Sequence, residues 1–100
     1  MQERFFMIIG SDLNRIHIAE DETGRMIITV DLHRMNREAA MRILNQILWE
    51  YRIPFILNVI HGYNHGTVLK KMVYEEFKSP RVKRKYYSRY NPGEVFMEIG

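Results

Sequence analysis

The run from Phe55 to Ile60 constrains the fold more than any other stretch of this chain. Its residues are mostly branched or aromatic, and they lie between Pro54 and the loop His61-Gly62-Tyr63-Asn64-His65-Gly66. A short continuous apolar run with such punctuation reads as a buried strand. A helical pattern with Lys70 and Lys71 in its early turns follows at once. Strand, glycine-containing loop and helix start together present backbone N–H groups to an anion, usually a phosphate. Gly62 and Gly66 allow the backbone to approach such a group closely, and Lys70 lies a turn inside the helix.

The remaining elements follow from period and punctuation. Arg4 to Ile9 and Arg15 to Ala19 read as short strands around the turn formers Gly10 to Asn14, so a hairpin is plausible there. A second turn, Asp21 to Gly24, precedes a strand from Arg25 to Leu32 that is too continuously apolar for one solvated face. Asn36 is placed to cap a helix whose stripe is Ala40, Ile43, Leu44, Ile47, Leu48 and Tyr51, stopped by Pro54. Met41 and Trp49 lie off that stripe and are expected to be partly exposed packing residues rather than base-stacking platforms. A second helix is predicted over Thr67 to Phe77, with Val68, Leu69, Met72, Val73 and Phe77 inward. Val82 to Ser88 and Glu94 to Ile99 are strands joined by the turn Asn91-Pro92-Gly93. The expectation is an α/β two-layer sandwich on a mixed sheet, with a β-α-β-α-β-β core over 25–100 and an N-terminal β-hairpin extension over 1–24.

Composition narrows the function. One hundred residues make a single core, and the apolar fraction of 46% fits a folded domain. With no cysteine there is no thiolate nucleophile, disulfide framework or cysteine-ligated zinc. The apolar run Phe5 to Ile9 is too short for a signal segment or a membrane span, so a cytoplasmic protein with no membrane partner is expected. The net charge of +3 divides unevenly: residues 1–50 carry −2 and residues 51–100 carry +5. The excess concentrates between Lys78 and Arg89, where Lys83, Arg84 and Lys85 form either a nucleic-acid footprint or a solvated strand edge.

Asp31 and His33 stand two apart near a strand end, so their side chains leave one face. A histidine can pass a proton at neutral pH, and a neighbouring carboxylate fixes its tautomer. The plainer alternative has Asp31 capping the turn and His33 merely solvated. His61 and His65, with Asp31 and His33, would satisfy zinc on paper, but a phosphate cradle is the more economical reading and neither metal nor cofactor is expected.

The two stretches Thr29-Val30-Asp31-Leu32-His33 and Asn58-Val59-Ile60-His61-Gly62, the latter followed by Gly66, Leu69 and Val73, resemble the Smr (small MutS-related) domain. That family carries an aspartate–leucine–histidine–glycine motif and, later, a histidine–glycine–x–glycine–x–glycine motif opening the second helix. The resemblance spans roughly Ile27 to Ile99 and implies a nucleic-acid-binding domain, in several members an endonuclease acting on DNA or RNA. It implies that Asp31 orients His33 as general base or acid and that His61 donates to the phosphate. Gly62, Asn64, His65, Gly66 and Lys70 would then hold that phosphate. Two positions depart from the pattern: Arg34 replaces the glycine of the first motif, adding a cation at the site mouth, and Asn64 replaces the middle glycine of the second. The other readings are a non-catalytic module that docks on RNA or a ribosome through Arg81 to Arg89 and, third, a metal-dependent hydrolase.

Overall fold

A computed structural model describes residues 14–62 and 66–100. Strand β1 (Ile16–Glu20) and strand β2 (Met26–Asp31) form an antiparallel hairpin. Asp21 makes its turn: the Oδ1 oxygen accepts from the backbone N–H groups of Thr23 and Arg25, both at 2.9 Å, while Gly24 takes a φ of 83°. Helix α1 (Arg37–Glu50) then crosses over to strand β3 (Phe55–Ile60), which pairs with β2 in parallel. Helix α2 (Gly66–Lys71) continues into a wider π-type turn, Met72–Glu76. Strands β4 (Val82–Tyr87) and β5 (Glu94–Ile99) close the chain as an antiparallel pair. The sheet order is β1-β2-β3-β5-β4, so the expected mixed α/β sheet is present and β3 is its middle strand.

The expected strand Arg15 to Ala19 is present as Ile16–Glu20 and pairs with β2 as an edge of the one sheet, while Arg4 to Ile9 lies outside the described residues. The expected boundary after residue 24 therefore falls inside a hairpin turn.

Alternation decides which side of the sheet is buried. Ile28, Val30, Leu57, Val59, Val95 and Met97 have no exposed surface and join the core with Ile43, Leu44 and Ile47 of α1 and Met72, Val73 and Phe77 of the second helical segment. Each fully buried side chain of this kind contributes about 1.5–3 kcal/mol, against about 1 kcal/mol net for a hydrogen bond. The apolar stripe therefore sets helix orientation, and caps set where each helix starts. At the start of α1, Asn36 Oδ1 accepts from Ala39 N–H at 2.8 Å. Val68 was expected inward, but it is 57% exposed, because Leu69, Met72 and Val73 define the stripe and Val68 lies one position off it. No described helix is long and apolar enough to cross a membrane.

Two basic residues of the C-terminal half close helix ends. Lys85 sits on the helix side of β4, in register with Met97, and its ammonium donates to the carbonyls of Val73, Tyr74 and Phe77 at 2.8, 3.1 and 2.6 Å. Those three bonds engage all its donors and satisfy carbonyls that a helix end leaves without partners. Arg81 donates to the carbonyls of Leu48, Tyr51, Ile53 and Gly100, tying the end of α1 to the start of β4. Lys85→Met, which keeps the stem but removes the three charge-assisted bonds, is expected to cost about 1.5–3 kcal/mol in urea unfolding. Lys83→Met, on an exposed side chain, should cost under about 0.5 kcal/mol. A Lys85→Met protein as stable as the wild type would contradict this assignment.

Candidate functional site

Parallel pairing brings the two motifs together. Asp31 is in register with Ile60, and Leu32 N–H donates to the Ile60 carbonyl at 2.7 Å, so the chains leaving β2 and β3 start side by side. A crevice beyond the carboxyl ends of parallel strands is where open α/β sheets bind ligands. Gly62 passes so close to the other loop that an added Cβ would lie 3.3 Å from His33 Cβ, and its φ of +77° is one that other residues rarely adopt. The left-handed φ favours glycine, and a side chain there would also crowd His33. His61 and Gly62 are pinned from the other side, where their N–H groups both donate to the Gly93 carbonyl.

Within the first loop, His33 Nδ1 lies 2.6 Å from Asp31 Oδ1. The carboxylate can only accept, so Nδ1 carries a proton, and in the neutral tautomer Nε2 presents a lone pair. The same Oδ1 accepts from the His33 backbone N–H at 3.0 Å, so the turn-capping role and the imidazole-orienting role coincide in one atom. Arg15 adds a clamp, its Nη1 donating to the carbonyls of Asp31 and His33, each at 3.0 Å. The His33 side chain remains 52% exposed, open to a ligand. Met35 N–H closes a turn onto the Leu32 carbonyl at 3.0 Å, with Arg34 at a φ of 68° in its third position. That position of a type II turn favours glycine, so Arg34 holds a backbone shape suited to glycine while placing a guanidinium at the mouth.

These elements line a cleft of about 900 Å³, whose wall includes His33, Arg34, Arg37, His61, Val68 and Leu69. His61 is 2% exposed. Its Nδ1 lies 2.7 Å from the Gly62 carbonyl and so is the protonated nitrogen, while Nε2 is buried with no hydrogen-bond partner among the described residues. Burial holds this imidazole below the ordinary histidine pKa; the bond to Gly62 opposes that, and the charge of Lys70 adds to it. His61 is thus a neutral acceptor at neutral pH. The expectation that it donates to a phosphate is not supported by this hydrogen bonding, because its one N–H is engaged by Gly62.

The remaining predicted residues separate. Asn64 and His65 lie outside the described residues. Gly66 opens α2, and Lys70 is exposed, with its ammonium 5.2 Å from the centre of the Tyr87 ring. Lys83, Arg84 and Lys85 do not line the cleft, and each has a partner within the fold. Lys83 donates to the Pro80 carbonyl at 3.1 Å, Arg84 pairs with Glu98 at 2.6 Å, and Lys85 closes the helix end. A register shift between Val82 and Arg84 makes Lys83 the extra residue of a bulge, so it does not share a regular face with Lys85. β4 is also a sheet edge, which favours the solvated-edge reading of its lysines. Among the described residues no three His, Cys, Asp or Glu side chains gather as a metal-ligand group. Sequence reasoning missed Met35 and Val68 in the cleft wall; for Val68 a position one step off the apolar stripe was the available signal. No family model matches the chain, and no curated protein matches it.

Gly62→Ala should lower stability by about 1–2 kcal/mol or more, since an L-residue is forced left-handed against His33. Chemical denaturation measures this, and an unchanged midpoint would contradict the close approach. His61 gives a pH test. The unfolded chain takes up a proton near pH 6.5, and the folded chain takes it up only at lower pH. Its contribution to stability is therefore complete above about pH 6.5 and is lost as pH falls toward the depressed folded value, with a slope of at most about 1.4 kcal/mol per pH unit. His61→Gln should show a shallower loss between pH 7.5 and 5.5 than the wild type, and equal losses would contradict the buried neutral imidazole.

Proposed function

We propose that this chain is a nucleic-acid-binding domain of Smr type that cleaves RNA at the Asp31–His33 pair. The observation that carries the reading is the 2.6 Å contact between Asp31 Oδ1 and His33 Nδ1 at the mouth of a cleft. It leaves Nε2 of an exposed imidazole as a base, with a carboxylate behind it to stabilise the imidazolium that forms. The two-layer arrangement of one parallel βαβ unit followed by a helix and an antiparallel pair suits the same reading.

RNA is placed ahead of DNA because it brings its own nucleophile. His33 Nε2 removes the proton of a 2′-hydroxyl, whose oxygen attacks the adjacent phosphorus. The phosphorus–5′-oxygen bond breaks, and solvent protonates the departing 5′-oxygen. Arg34 at the mouth and Lys70 on α2 supply positive charge for the phosphate. Backbone N–H groups around Gly62 do not fill that role, since those of His61 and Gly62 are bonded to Gly93.

The test uses end-labelled single-stranded RNA and supercoiled DNA, each with and without chelator. His33→Ala should keep stability within about 0.5 kcal/mol, because the side chain is exposed. It should lower the cleavage rate by about 10²- to 10⁴-fold while affinity changes by less than about tenfold. The RNA products should carry a 2′,3′-cyclic phosphate and a 5′-hydroxyl. Wild-type protein that binds RNA without cutting it would leave the binder and remove the enzyme, and failure to bind either nucleic acid would remove both.

A further inference from the structure

A second basic surface lies at the other end of α1, away from the cleft. It is a shallow groove of about 630 Å³ whose wall includes Arg42, Asn45, Trp49, Arg52 and Arg81. Trp49, the sole tryptophan of the chain, is 63% exposed, and the Arg52 guanidinium lies 4.4 Å from the centre of its ring. Arg52 Nε donates to the Trp49 carbonyl at 3.0 Å, which fixes the stacked pair on the helix end. An indole so exposed gains little from the core.

Charge indicates the kind of partner. Three guanidinium groups line this groove and no carboxylate does. Among the described residues Arg42, Arg52 and Arg81 form no ion pair with an acidic side chain; the four acceptors of Arg81 are backbone oxygens. Arg52 is near enough to Arg81 to join burial in depressing its pKa, so an anion set between them would relieve like-charge repulsion. Asn45 donates its amide to the Met41 carbonyl, leaving its side-chain oxygen as an outward acceptor. Anion-seeking guanidinium groups beside an open aromatic face are the elements of a single-strand site, where bases stack on rings and phosphates meet cations. The groove and the cleft are joined by one helix of 14 residues, about 20 Å long.

We infer that the Arg42–Trp49–Arg52 face of α1 is a second contact for single-stranded nucleic acid, stacking a base on Trp49 and seating phosphates on the two arginines, so that a strand held at the cleft extends along α1. This rests on the nucleic-acid reading of the cleft but assigns residues that lie outside it.

Trp49 supplies its own reporter. The whole chain is titrated with a 20-nucleotide oligouridylate, following tryptophan fluorescence and, on a labelled copy, anisotropy. The expected result is saturable quenching that tracks anisotropy. Trp49→Ala should weaken binding about 5- to 100-fold. Arg42→Gln with Arg52→Gln should flatten the slope of log affinity against log salt by about 1 to 1.5, at about 0.7 for each phosphate. All three residues are exposed, and circular dichroism checks that each variant folds.

Binding by anisotropy with unquenched fluorescence and unaltered variants would overturn the groove and leave the cleft reading intact. Quenching with loss of affinity in the groove variants, but none in Arg34→Gln combined with Lys70→Gln, would support the groove and count against the cleft. Quenching by a polyglutamate peptide but not by the oligonucleotide would overturn the proposal in favour of an acidic protein partner. An absence of binding to any of these would overturn both assignments.

Discussion

The parallel pairing of β2 with β3 is the constraint on which the rest depends. Parallel neighbours cannot be joined by a tight turn, so the chain between them must run back across the sheet, and α1 does so. The register that aligns Asp31 with Ile60 delivers both loops to the same end of the sheet. A slip of one residue would turn Ile28 and Val30 out of the core, so burial fixes the register and the register fixes the site. The contact of Gly62 with His33 is a consequence of that pairing, as is the cleft beside it.

Cations in this fold divide by whether the backbone needs them. Lys85 and Arg81 donate to carbonyls at helix ends, and Arg84 meets a carboxylate across the sheet. With Lys83, they are four of the nine Lys and Arg side chains of residues 51–100, each engaged by backbone carbonyls or a neighbouring carboxylate. Arg34, Lys70, Arg42 and Arg52 are the exposed cations placed where an anion can approach the cleft or α1. A charge count alone points to β4, where Lys83, Arg84 and Lys85 have partners within the fold.

The fold was legible wherever period and punctuation agreed. Phe55–Ile60 and Glu94–Ile99 fall within the predicted bounds, and α1 starts at its predicted cap, because a proline, an asparagine cap and strict alternation are local signals. Strand partners are not local, and β1 pairs forward across Asp21–Gly24. Of the site, the Asp31–His33 contact could be read from spacing near a strand end. The acceptor state of His61 could not, since it depends on a carbonyl one residue away and on burial. Nor could the engagement of Lys85, whose acceptors lie eight to twelve residues back in the chain on another element. Arg34 holds its left-handed turn despite its side chain, a conformation that nothing in its own chemistry announces.

The central claim is that His33 presents an unprotonated Nε2 to a phosphodiester at the cleft mouth. Long-range proton–nitrogen NMR of the histidine rings tests it most directly, recorded at pH 7.5 with and without a 2′-O-methyl oligoribonucleotide, which cannot supply its own nucleophile. His33 should appear protonated on Nδ1 with a free Nε2, and its Nε2 and ring carbon-bound proton signals should move as the oligonucleotide saturates the protein. A bound oligonucleotide that leaves the His33 ring signals where they were, or a ring protonated on Nε2 in the free protein, would contradict the account.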